Sequence, residues 1–140
     1  MRSPHVLFLL TALIGGGSAS TSFAAPPSGC GITNNSMYVG RYLCAQGWTD
    51  MTLTVVDVEG NRVQLRGDFV HAASNTRGSY LLRGFCLPRT RRMLLSPQAW
   101  VQRPPGYIMV GMTGVVSPDG RSFSGRMRNS SCGDFSFTRQ

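Results

Sequence analysis

Hydrophobic positions in this chain recur at every second residue far more often than at every third or fourth. From 37 to 44, Tyr38, Gly40, Tyr42 and Cys44 alternate with Val39, Arg41 and Leu43. From 62 to 70, Val63, Leu65, Gly67 and Phe69 oppose Arg62, Gln64, Arg66 and Asp68. Period-two runs of this kind predict strands with one face in a core and the other in water. Residues 51–58 are rich in β-branched side chains, with a phase slip at Val55-Val56 that reads as a bulge. Further strands are expected at 79–86, 91–95, 98–102 and 132–139, the last turning Phe135 and Phe137 inward. No stretch carries a helical period.

The most legible stretch is Tyr107 to Met127, which predicts a β-hairpin. Its turn is Ser117-Pro118-Asp119-Gly120, where proline pre-sets φ and glycine supplies a positive one. Behind it Phe123, Gly125 and Met127 alternate with Ser122, Ser124, Arg126 and Arg128. Turns are also expected at 46–50, 59–61 and 87–90, and a polar loop at 71–78. Arg103-Pro104-Pro105-Gly106 predicts an extended connector, since neither proline can donate to a ladder. The count is about eight short strands with local connections. The fold class is therefore all-β, an antiparallel up-and-down barrel, with a two-layer sandwich as the alternative. Glycines inside strands at 40, 67, 84, 114 and 125 favour the barrel, because a series of them marks bends where a sheet curls.

The ends and the cysteines set the compartment. Residues 1–24 read as a secretory signal, with Arg2, an apolar run from Val6 to Ile14, and small residues around Ser22-Phe23-Ala24. That run is too short to span a bilayer, so no transmembrane segment is expected after its removal. A flexible leader is expected at 25–36, tied down only by Cys30, and one β domain at 37–140. Cys30, Cys44, Cys86 and Cys132 all remain, an even count that predicts two disulfides in an exported protein. Three pairings are open. Closure of the sheet would favour Cys44–Cys132, because Cys44 ends the first strand and Cys132 opens the last. Cys30–Cys86 would then be the second bridge.

Charge narrows the partners. The full chain carries a formal net charge of +8 from fourteen basic residues, all arginine, against six acids. This balance favours anionic partners. Export and the scarcity of aromatics argue against nucleic acid. Catalysis has little to work with: His71 is the sole histidine after the signal, no lysine exists, and Asp50 and Asp134 are the carboxylates best placed to approach each other. No metal site or cofactor is expected. Arg89, Arg91 and Arg92 put three guanidiniums on one predicted hairpin tip, a fork for phosphate or carboxylate. Trp100, Arg103 and Tyr107 surround the proline pair, a surface for a glycan ring or extended peptide unless the two aromatics plug the barrel end. Arg66-Gly67-Asp68 spells an adhesion tripeptide but lies mid-strand, with Gly67 inward.

The pattern Gly40-x-Tyr42-x-Cys44-x-Gln46-Gly47, Pro105-Gly106-Tyr107-x-Met109-Val110-Gly111 and Cys132-x-x-Phe135 resembles small exported bacterial proteins of unassigned function. More loosely, size, cysteines and meander resemble the periplasmic C-type lysozyme inhibitors, whose Tyr-x-Cys start is echoed by Tyr42-Leu43-Cys44. That resemblance implies inhibition of a secreted hydrolase, although the family's Ser-Ala-Ser-Gly-like loop has no counterpart here. The residues themselves predict a periplasmic or secreted monomer that binds and does not catalyse. Its expected partner is an anionic envelope component met by arginines, or else a secreted protein. A third expectation is a carrier holding a small apolar ligand in a lumen of Leu65, Phe69, Leu82, Met109 and Phe123.

Overall fold

The structure, a computed structural model, describes residues 15–22 and 28–140. Most of the expected signal, 1–24, lies outside the described residues. Eight antiparallel strands form a closed barrel in sequence order. They are β1 (Met37–Cys44), β2 (Gly47–Glu59), β3 (Arg62–His71), β4 (Thr76–Cys86), β5 (Arg92–Gln102), β6 (Met112–Val116), β7 (Ser122–Met127) and β8 (Cys132–Arg139). Closure comes from β1 against β8, where Tyr38 faces Arg139, Gly40 faces Phe137 and Cys44 faces Cys132. The disulfides are Cys30–Cys86 and Cys44–Cys132.

The alternation read from sequence decides what lies inside. Tyr38, Tyr42, Leu53, Val63, Leu65, Phe69, Tyr80 and Leu82 are buried, and Phe123, Met127, Phe135 and Phe137 complete the far wall. Phe123 packs on Phe135 with ring centroids 4.8 Å apart. An eight-stranded barrel is just wide enough for side chains to fill it, and these fill it. The expected apolar lumen is therefore occupied by the protein's own Leu65, Phe69, Leu82 and Phe123, with Met109 partly buried at its edge.

Tight curvature explains the strand glycines. A Cβ on Gly84 would overlap the Leu94 carbonyl on β5, and one on Gly40 would overlap the Ser136 carbonyl on β8. Neighbouring backbones approach there as no side chain would allow. The bulge read at Val55-Val56 is present, as a register shift between Val55 and Asp57 against β3.

Three local expectations are corrected. Residues 46–50 are not a turn: β2 begins at Gly47, after a two-residue turn at Ala45 and Gln46. Thr49 is a ladder residue opposite both Tyr42 and His71, and Asp50 pairs outside with Arg41. The two short strands 91–95 and 98–102 are one continuous β5, because β6 pairs only as far as Leu95 and leaves Pro97 beyond that edge. Residues 107–111 are not a strand either. Their backbone is served instead by Tyr80, whose hydroxyl donates to the Val110 carbonyl at 2.8 Å and accepts from its N–H at 3.4 Å.

Up-and-down winding sorts the connections into two groups. The β2–β3, β4–β5 and β6–β7 turns share one end of the barrel with residues 28–36. This end is closed. The leader, expected to be flexible, packs from residue 28 onward: Cys30 and Ile32 are buried, and Asn35 N–H donates to the Val55 carbonyl at 2.8 Å. The opposite end carries the β1–β2, β3–β4, β5–β6 and β7–β8 connections.

Gly84→Ala should cost about 3 kcal/mol, the upper range for forcing volume into a packed site. Gly60→Ala, in an open turn at φ 59°, should cost about 1 kcal/mol. Urea midpoints of the two variants check the difference.

Candidate functional site

At the opposite end a cavity of about 250 Å³ opens between the β1–β2 turn, the 106–110 segment and the β7–β8 turn. Phe69, Tyr107, Ile108 and Val110 supply apolar wall, the Cys44–Cys132 disulfide lies along it, and Tyr42 and Thr49 bring hydroxyls. Each is placed by local physics. Tyr42 and Phe69 are inward residues of alternating strands, and Tyr107 follows the Pro104-Pro105-Gly106 bend, where Gly106 adopts φ 78°. Tyr107 stacks on Phe69 at 5.7 Å, with an interplanar angle of 25°.

A histidine latch fixes that bend. His71 Nε2 lies 2.9 Å from the Gln46 carbonyl, which can only accept, so Nε2 carries the proton. Its Nδ1 then accepts from the Tyr107 hydroxyl at 3.0 Å and the Ser74 hydroxyl at 2.8 Å. His71 is thus a buried strut with both ring nitrogens engaged.

The two cavity hydroxyls are less well served. Thr49 is 1% exposed, and its Oγ1 has no hydrogen-bond partner among the described residues. Tyr42 stands opposite it across the β1–β2 ladder. Burial pushes the Tyr42 phenol up to about 12, partly offset by the nearby Thr49 hydroxyl, which favours the phenolate without meeting full hydrogen-bond geometry. Tyr80, deeper still, is raised by burial and by the neighbouring Tyr42. Both phenols, neutral at ordinary pH as any tyrosine is, stay so further into the alkaline range.

The six ligand-binding residues expected from sequence divide between the two barrel ends. Trp100, Arg103 and Tyr107 lie at the open end, and only Tyr107 lines the cavity. Trp100 is half-buried against Tyr80 and Phe69, with centroids at 5.6 and 6.3 Å, and Arg103 lies over its outer face at 5.8 Å. Arg89, Arg91 and Arg92 lie at the closed end.

Nor do these three act together. Arg91, at φ 60°, turns its guanidinium into the protein. Its Nη2 donates to the Cys30 carbonyl at 2.6 Å, and its Nε to the Val116 carbonyl at 2.9 Å and the Ser117 carbonyl at 3.0 Å. It clamps the plug to the β6–β7 turn and is not available to a ligand. Arg89 and Arg92 remain exposed. Asp50 and Asp134, the carboxylates expected to approach each other, sit on the outer surface, each against an arginine: Arg41 at 3.2 Å and Arg126 at 3.4 Å.

Tyr42 and Thr49 are cavity residues that the sequence does not single out for ligand binding, whereas Phe69 is among the expected lumen residues. Thr49 was hidden by the polar Gly-Trp-Thr-Asp composition of its surroundings. The inward phase of Tyr42 is legible, but nothing in it marks that residue as lining a cavity. Among the described residues no helix is long and apolar enough to cross a membrane, which says nothing of strands.

No protein-family model matches the chain, and no curated protein does. Among solved structures it is similar to a de novo designed fluorescence-activating β-barrel, at 15% identity, over 74% of this chain and 91% of that one, with a TM-score of 0.48.

Arg91→Ala should cost about 2–3 kcal/mol by removing the donor to the Cys30 and Val116 carbonyls, the Ser117 carbonyl keeping the Gly120 N–H, whereas Arg89→Ala stays within about 0.5 kcal/mol; denaturant midpoints check both. Raised tyrosines also set an alkaline limit. An unfolded chain releases phenol protons from about pH 10, while the folded protein holds that of Tyr42 until about 12. The unfolded state therefore binds fewer protons in that window, and stability should fall as pH rises through it. Urea midpoints at pH 8, 10 and 11 should fall slightly from the first to the second and more steeply to the third.

Proposed function

We propose that this chain is an exported, non-catalytic binding protein that receives a small molecule in the cavity at the open end. The observation that carries the reading is the cavity itself, walled by Phe69, Tyr107, Ile108 and Val110, with the buried Thr49 hydroxyl, which has no partner among the described residues, just behind its lining. A buried polar group left unpaired costs about 1–3 kcal/mol, and a ligand acceptor is the natural relief. Tyr42 offers a second hydroxyl beside it. Phe69 and Tyr107 offer an aromatic wall. At about 250 Å³ the cavity lies below the usual range of roughly 300–1,000 Å³ for drug-sized ligands. The ligand class is therefore a single-ring molecule bearing a carbonyl or hydroxyl oxygen.

Two disulfides fit an oxidising compartment, and the signal-like 1–24 supports export to the periplasm or beyond. The net charge of +8 draws such a protein towards anionic envelope components. Of the expected arginine anchors, Arg89 and Arg92 are open to that encounter, and Arg103 stands exposed at the cavity end. His71, with both ring nitrogens occupied, supports a structural and not a catalytic part for the one histidine of the barrel.

The test uses the oxidised protein with benzaldehyde and p-cresol as probes, followed by amide NMR. Shifts should gather at Tyr107, Ile108, Asn129 and Ser131. In Thr49→Val the unliganded protein should gain about 1 kcal/mol, while probe affinity falls about tenfold. Scattered shifts, or a Thr49→Val protein that loses stability and keeps its affinity, would overturn the reading.

A further inference from the structure

The outer wall at the closed end carries a second surface, built from different residues. Phe85 and Leu87, at the end of β4, are each 46% exposed, and Val115 on β6 is 48% exposed. Strand register makes them neighbours: Phe85 faces Leu94 on β5, and Arg92 faces Val115 across the next ladder. Burying an aromatic and three aliphatic side chains would be favourable, yet all four are left partly or largely in water.

Charge identifies what would cover them. The β4–β5 turn that leaves Phe85 carries Arg89 and Arg92, both exposed. Arg91 beside them is folded inward, and its clamp on Cys30 and Ser117 stiffens the turn that presents its neighbours outward. On the far flank Arg62 and Arg83 share a shallow groove with Asp57 and Glu59, so the net positive edge is the turn side. A greasy patch bordered by guanidiniums matches the boundary layer of an anionic bilayer, where rings and aliphatics enter the acyl edge and cations meet headgroup phosphates. The exposed apolar row of Met37, Val39 and Leu43 on β1 differs, since its Arg41 is paired with Asp50 and lies over the Trp48 ring.

We infer that the Phe85–Leu87–Leu94–Val115 face, with Arg89 and Arg92, docks the closed end of the barrel on an anionic lipid surface. The inference extends the anionic-partner half of the functional reading and stands apart from the cavity.

Co-sedimentation of the oxidised protein without the signal-like residues 1–24 tests it with vesicles. Vesicles of phosphatidylcholine with phosphatidylglycerol should bind the protein, pure phosphatidylcholine should not, and added salt should weaken the binding. Arg89→Ser/Arg92→Ser should lower affinity about thirtyfold, at the worth of two surface arginines. Arg77→Ser/Arg126→Ser removes equal charge elsewhere and should change it less than threefold. Phe85→Ser/Leu87→Ser should abolish binding while amide shifts from benzaldehyde at the cavity persist, which keeps the two readings separable. Equal losses from both arginine pairs would reduce the effect to bulk charge and overturn the inference. So would a dimer in sedimentation velocity that Phe85→Ser/Leu87→Ser dissolves, since a second copy would then be the occupant. Binding to soluble polyphosphate as strong as to vesicles, and insensitive to Phe85→Ser/Leu87→Ser, would overturn it as well.

Discussion

The pairing of β1 with β8 is the contact on which everything else depends. Without it the meander is an open sheet with two long unpaired edges, a template for association with other chains. With it every strand has two neighbours, the inward residues meet across a narrow interior, and the two ends become distinct places. Close backbone approach at Gly40, beside the Ser136 carbonyl, is a condition of that pairing. The Cys44–Cys132 disulfide then ties the same two strands at the open end. In the unfolded chain that bond closes a sequence separation of 88 residues, worth at most about 4–5 kcal/mol in the chain-entropy model.

The ends are finished differently. At one, the segment from residue 28 is drawn over the core and held by Cys30–Cys86 and the Arg91 guanidinium. At the other, the long β5–β6 connection leaves the ladder and crosses towards His71. A regular hairpin there would have continued the wall. The irregular segment instead leaves a gap above Thr49 and Tyr42 that no side chain fills. Packing inside the barrel and space at its mouth thus have one origin, the point at which chain 107–111 stops being a strand.

Much of this architecture is legible in the order of the residues alone. Alternation at 62–70, the inward phase of Phe135 and Phe137, the Val55 slip and the strand glycines all act through period two and steric room, which are local and visible. The cysteine pairing comes from the same topology once closure is assumed. What stays hidden is non-local. Arg91 looks like its neighbours Arg89 and Arg92, and only the carbonyls of Cys30, Val116 and Ser117, far away in sequence, distinguish it. Likewise Trp100 and Arg89 look like parts of one surface until strand direction sends them to opposite ends. Residues 107–111 alternate well enough for a strand, and the Tyr80 hydroxyl that replaces their ladder bonds lies 30 residues away from Val110.

One consequence concerns orientation. Gln140 N–H bonds back to the first strand at the Met37 carbonyl, 2.9 Å away, so Gln140 lies on the same side of the barrel as residues 28–36. Whatever is joined after Gln140, whether a tag, a fused domain or an immobilising surface, hangs from that side. The mouth is then presented outward to the surrounding fluid. A tethered copy keeps its cavity accessible by geometry alone.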